Sequence, residues 1–193
     1  MKKQILSALL LSFLVITAAH AQNGKIKPTE VVFIQGGNTA DETFGTTKPD
    51  VILVARSSTN THWSRTGFLK FKIPQDIKSL NSVDLNISIK VYKNAEQPDL
   101  KFSLNVQAVP ENTWSKTTIT WNNAPKAGEV LGNVLLDQSL DDKLSKLTIK
   151  LDAKAVDLLL KKSKDREITL ALTNNVSTAL GSIVSRDAFL TIE

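Results

Sequence analysis

The chain has no cysteine among its 193 residues, which excludes disulfide frameworks, zinc–thiolate sites, iron–sulfur clusters and cysteine nucleophiles together. Any core it forms must hold without a covalent staple. Histidine is scarce as well: of the two present, His20 lies in an apolar N-terminal stretch, so His62 is the one candidate for imidazole chemistry. A single tyrosine, Tyr92, and the lack of any Gly-x-Ser-x-Gly sequence narrow the hydrolase and lyase options further. No internal repeat, low-complexity tract or linker rich in Gly, Pro or Ser divides the chain. What remains, 41% apolar and 22% charged residues, is enough for one domain with a sizeable core.

The N-terminus reads Met1-Lys2-Lys3, then an apolar run over residues 5–19, then Ala19-His20-Ala21 before Gln22. These are the three parts of a cleavable secretory signal covering residues 1–21. No cysteine ends the apolar run, so bacterial lipid attachment has no acceptor. The expectation is a secreted or periplasmic monomer with no membrane insertion, a short leader at 22–29 and one domain over 30–193. Loss of Lys2 and Lys3 lowers the formal net charge from +5 to +3. The excess is concentrated: Lys48, Arg56, Arg65, Lys70, Lys72, Lys78, Lys90 and Lys93 face only Asp50, Asp76 and Asp84 in the same stretch. For an exported protein the polyanions within reach are acidic polysaccharides and envelope polymers, not nucleic acid. A surface kept soluble by lysines would give the same pattern.

Apolar residues recur with period two. Val83, Leu85, Ile87, Ile89 and Val91 alternate with polar residues, as do Phe102, Leu104, Val106 and Ala108. Similar runs at 31–35, 52–56, 67–73, 147–151, 168–173, 183–185 and 189–192 bring the total to about nine strands. This many short strands predicts an all-β, two-sheet antiparallel β-sandwich. Residues 153–162 differ, with apolar positions at helical spacing and Asp152 placed to cap one short helix. The stretches 36–49, 57–64 and 122–132 read as long loops, where function often sits.

One segment, Trp114-Ser115-Lys116-Thr117-Thr118-Ile119-Thr120-Trp121-Asn122-Asn123-Ala124-Pro125, resembles the W-S-E-x-T-I-T-W-N-N-A-P signature of exported DNRLRE-domain proteins, which include the family 96 carbohydrate-binding modules. Gly36-Gly37-Asn38-Thr39-Ala40-Asp41-Glu42-Thr43-Phe44-Gly45 is similar to the family's G-G-x-x-A-D-T-N-F-G loop. Arg65-Thr66-Gly67-Phe68-Leu69-Lys70-Phe71 resembles its R-x-A-Y-L-K-F-D strand, and Ser185-Arg186-Asp187-Ala188 its S-R-E-A segment. The likeness runs over residues 30–193. Two departures stand out: Glu42-Thr43 replaces the usual Thr-Asn, and Lys116 an acid. The resemblance implies a jelly-roll-like sandwich whose best-understood members bind acidic polysaccharide such as alginate through basic side chains. Related modules occur attached to lyases and to archaeal envelope-disaggregating proteins.

Each sugar of a polyuronate carries one carboxylate, which Lys or Arg meets with charge-assisted hydrogen bonds. The candidate carbohydrate-binding residues are Lys48, Arg56, Trp63, Arg65, Lys70, Lys72 and Arg186. On the strand at 67–73, Leu69, Phe71 and Ile73 share one face, while Phe68, Lys70 and Lys72 share the other, so the two lysines point together. Arg65 has the opposite parity. Trp63, beside Arg65 in a polar loop, admits both sugar stacking and loop packing, whereas Trp114 and Trp121 read as core. Asn38, Asp41, Glu42 and Asp50 supply oxygen donors for calcium but lack the spacing of a dedicated loop site. No other cofactor is expected. A lyase needs a neutraliser, a base and a proton donor, and Tyr92 and His62 lie in separate segments. The expectation is therefore a non-catalytic polysaccharide-binding module. A structural or adhesion module of the envelope, and a small lyase or disaggregating enzyme, are the alternatives.

Overall fold

The computed structural model describes residues 24–56, 61–138, 143–174, 176 and 179–193. The expected signal at 1–21 and residues 57–60 of one loop lie outside them. The described strands are β1 Pro28–Gln35, β2 Val51–Ala55, β3 Arg65–Lys72, β4 Val83–Tyr92, β5 Phe102–Val109, β6 Val130–Leu136, β7 Ser145–Leu151, β8 Glu167–Asn174, β9 Leu180–Val184 and β10 Phe189–Ile192. The helix α1, Ala153–Lys162, lies between β7 and β8. All pairings are antiparallel.

Two sheets form the antiparallel sandwich that the alternation predicts, with the jelly-roll-like character that the resemblance implies. In the first, β4 pairs with β7 along one edge and with β9 and β10 end to end along the other, and β2 adds outside β9. In the second the order is β1, β3, β8, β5, β6. One residue pair, Ala55 with Arg65, joins them. Inward-facing positions of both sheets make the core: Val83, Leu85, Ile89, Phe71, Phe102, Leu104 and Leu170 are all buried. Each such side chain contributes ~1.5–3 kcal/mol by leaving water. The amphipathic face of α1 adds Ala155, Val156 and Leu160. Its start is capped as expected, with Asp152 Oδ1 accepting from the Lys154 N–H (2.9 Å) and the Ala155 N–H (3.1 Å).

Three features depart from the expectations. Strand β6 lies where the loop at 122–132 was expected to end, because Gly132-Asn133 interrupt its alternation and a bulge shifts its register against β5. A Cβ on Gly132 would come 2.6 Å from the Lys150 carbonyl oxygen, so only glycine lets β6 pass this close to β7. Strand β1 begins at Pro28, and Ile26 bridges Leu190, so residues 24–27 of the expected leader pack onto the sandwich. The buried Ile26 side chain is the cause. Finally, the outer face of the second sheet is itself covered. Val32, Ile34, Phe68, Val109 and Ala171 point away from the core and are sealed by Trp114 and Ile119, with Trp121 and Ala124 packed alongside. The 114–125 segment is thus a lid on a β-sheet, with Trp114 buried beneath it as expected and Trp121 half-buried at its edge, part of its ring left accessible. No helix of the described residues is long and apolar enough to cross a membrane.

Candidate functional site

The expected basic stretch does not fold into one patch. Lys70, expected on a wet face beside Lys72, is only 5% exposed, because the 114–125 lid lies over that face. Its ammonium donates to Glu30 Oε1 (3.0 Å) and to the Trp114 carbonyl oxygen, and sits 4.5 Å from the Trp114 ring centroid. Lys70 is therefore a buried structural cation, and its parity with Lys72 does not make a two-lysine surface. Glu30 Oε2 also accepts from the Lys116 N–H (2.6 Å). Burial pushes the Glu30 carboxyl up, but the hydrogen bonds from Lys116 and Lys70 together outweigh it and hold it below the ordinary value.

Lys72 is exposed at the far end of β3, in register with Glu167. Arg65 starts the same strand, about 23 Å away at ~3.3 Å per residue, so the two cannot hold one carboxylate. Arg65 donates from Nε to Gln35 Oε1 (2.8 Å) and lies 5.5 Å from the Trp63 ring centroid. Burial holds the Arg65 guanidinium below its usual value. Trp63 is 57% exposed, with the His62 ring at its edge, which leaves stacking available to it. Arg56 is exposed at the end of β2.

Lys48 and Arg186 fall elsewhere, and together. The loop carrying Lys48 is docked on the turn carrying Arg186: Ser185 donates from its N–H to the Asp50 carbonyl (3.2 Å) and from Oγ to the Pro49 carbonyl (2.8 Å). Phe44 stacks on Phe33 at 4.7 Å, and a Cβ on Gly45 would come 2.2 Å from the Lys116 carbonyl oxygen. The loop at 36–50 and the lid are therefore pressed together, with Asn122 donating to Asp41 Oδ1 (2.8 Å). That bond engages one of the calcium candidates. Asn38, Glu42 and Asp50 are exposed, and among the described residues no group of three or more His, Cys, Asp or Glu converges.

Two adjoining grooves meet at Lys27. The larger, about 490 Å³, is walled by Lys25, Lys27, Lys146, Asp187 and Phe189. Its floor is the outer face of the first sheet, where Phe189, Asn86 and Thr148 lie side by side in register on β10, β4 and β7. The floor is polar but locked: Thr148 donates to Asn86 Oδ1 (2.8 Å) and Asn86 Nδ2 to Thr191 Oγ1 (3.1 Å). The ammoniums of Lys25 and Lys27 stand 4.8 and 5.4 Å from the Phe189 ring centroid, and Lys27 also donates to the Arg186 carbonyl (2.6 Å). The ring thus holds two cations at one rim, while Lys146 stands at the other. The smaller groove, about 290 Å³, adds Lys116 and Arg186. Together the walls carry five cations and one carboxylate, Asp187.

Of these cations only Arg186 was a candidate from sequence. The signal for the others was present in parity. Lys25 and Lys27 flank the inward Ile26, and Lys146, Thr148 and Lys150 alternate with Leu147, Ile149 and Leu151. What the sequence does not show is that β10 and β4 bring the two sets to one face.

The sequence model of carbohydrate-binding module family 96 matches residues 22–186 of the chain. No curated protein matches it. Among solved structures, the chain is similar to the CBM22-1 and GH10 modules of endo-1,4-β-D-xylanase 10B from Clostridium thermocellum, complexed with xylohexaose. That likeness has 14% identity and a TM-score of 0.38, and covers 87% of this chain but 28% of that one. It is also similar to the CBM22-1 xylan-binding domain of a Paenibacillus barcinonensis enzyme, at 10% identity and a TM-score of 0.33, covering 83% of this chain and 85% of that one.

Proposed function

This chain belongs to carbohydrate-binding module family 96, and from that premise we propose that it holds an acidic polysaccharide in the paired basic grooves, by binding alone and without turnover. The observation that carries the reading is five cations facing a single carboxylate around two grooves that share Lys27. A polyuronate presents regularly spaced carboxylates. From residues 24–27 the larger groove crosses β10 and β4 to reach β7, three inter-strand steps or about 14 Å. The lysines on its two rims are too far apart to share one carboxylate, and suit successive charges along one chain. Each exposed contact is worth ~0.2–1 kcal/mol, so affinity comes from several together, and Phe189 keeps two of the ammoniums in place. The working form in this proposal is an exported monomer, secreted or periplasmic, as the pattern of residues 1–21 supports.

Calorimetric titration of alginate oligomers into single alanine variants tests the reading. Replacing Lys25, Lys27, Lys146, Lys116 or Arg186 should weaken binding about two- to fivefold each, and Phe189→Leu should weaken it by freeing the two lysines. Lys72→Ala, at a remote strand end, should have no effect. If the five groove variants bind normally and Arg56, Trp63 or Arg65 variants do not, the site belongs at the β2–β3 end. If alginate does not bind the intact protein, the acidic-polysaccharide reading fails and a structural envelope module takes its place.

A further inference from the structure

The opposite outer face of the sandwich carries a cleft of another chemistry. It holds about 200 Å³ and lies where the 114–125 lid leaves part of the second sheet uncovered. Trp121 and Pro125 form one wall, the hydroxyls of Thr66 and Thr173 come from the sheet, and Lys126 stands as its one charged group. Thr173 donates to Gln107 Oε1 (2.8 Å), and Gln107 is itself oriented by donating to the Gly128 carbonyl (3.0 Å). The Thr173 oxygen therefore keeps its accepting capacity, and Thr66 Oγ1 has no hydrogen bond among the described residues.

We propose that this cleft is a second glycan site, which takes one uncharged sugar ring independently of the basic grooves. An aromatic wall beside two hydroxyls is what a pyranose, with its apolar C–H face and hydroxyl rim, requires. A single cation, set against five around the other site, selects a neutral ring over a polyanion. The volume falls below the ~300–1,000 Å³ of drug-sized sites, which fits one ring and not a longer segment. The inference rests on the carbohydrate-binding fold but not on the identity of the ligand in the basic grooves.

Nuclear magnetic resonance titration of the isotope-labelled protein with xylohexaose, cellohexaose and mannohexaose provides the test. At least one should shift the Trp121 indole and the Thr66 and Thr173 methyl signals. Thr66→Val and Thr173→Val keep side-chain shape, and each should weaken that neutral sugar about five- to tenfold while leaving alginate binding unchanged. A Lys25/Lys27/Lys146 triple alanine variant should behave in the reverse way. If none of the three sugars moves the cleft signals at millimolar concentration, the proposal is overturned. It is also overturned if the triple variant abolishes those shifts, or if alginate alone produces them. Failure of the intact protein to bind alginate, with the neutral-sugar shifts present, would instead count against the basic-groove reading only.

Discussion

Lys70 shows how a side chain's parity and its surroundings are settled separately. Alternation along β3 places it outward, as expected, but the outer face is roofed by the lid, and an ammonium under a roof needs partners. It has a carboxylate, a carbonyl and an aromatic face. Removing the cation by Lys70→Met should cost about 1–3 kcal/mol in urea unfolding, between the values for exposed and fully buried pairs. Glu30 gives this pin a pH dependence. Its carboxyl is held below the ordinary 4.5, so the stabilisation is complete above that pH and is lost as pH falls through the lower, folded-state value. The stability difference between the parent and Glu30→Gln should therefore be constant at neutral pH and shrink in acid. A difference that grows in acid would contradict the assignment.

At the scale of elements, strand existence and the helix were legible because their periods are clean: β4 and β5 alternate without a break and α1 carries its own cap. Strand β6 was not, since a glycine and a bulge erase its period, and the burial of Lys70 was not, since nothing in β3 announces a second layer above it. The binding face was legible only in part. Cations were sought where they crowd along the chain, whereas the sheet gathers Lys25, Lys27, Lys146 and Arg186 from distant segments. The lid explains why its residue pattern is so particular: Trp114 seals Phe68 and donates from Nε1 to Thr169 Oγ1 (3.0 Å), and Asn123 closes the turn onto the Thr120 N–H (2.7 Å). Trp114→Ala should destabilise by ~3–5 kcal/mol and leave the Thr169 hydroxyl without one partner. Thermal unfolding measures the loss. Because Lys116 is carried by the same segment, alginate affinity of the folded fraction should also fall, about as far as in Lys116→Ala.

For the whole molecule, the larger basic groove and the neutral cleft lie on the outer faces of different sheets, with a close-packed core ~10 Å thick between them. They differ in the force each relies on. The basic grooves act through exposed charge, whose range shrinks from ~10 Å at 0.1 M salt to ~3 Å at 1 M, while the cleft acts through an aromatic wall and neutral hydrogen bonds. The 114–125 lid gives Lys116 to the smaller basic groove and Trp121 and Pro125 to the cleft, but it is pinned between them by the Trp114–Thr169 and Thr120–Asn123 hydrogen bonds, so occupancy of one site should leave the affinity of the other unchanged, a coupling free energy near zero. One module should then join two polymers of unlike charge. Protein loaded on an alginate gel should retain a labelled neutral hexasaccharide at low salt. Raising salt to 1 M should release protein and sugar together from the gel, whereas the free protein should bind the same sugar with undiminished affinity at that salt. Release of the sugar ahead of the protein would show that both ligands use the basic face.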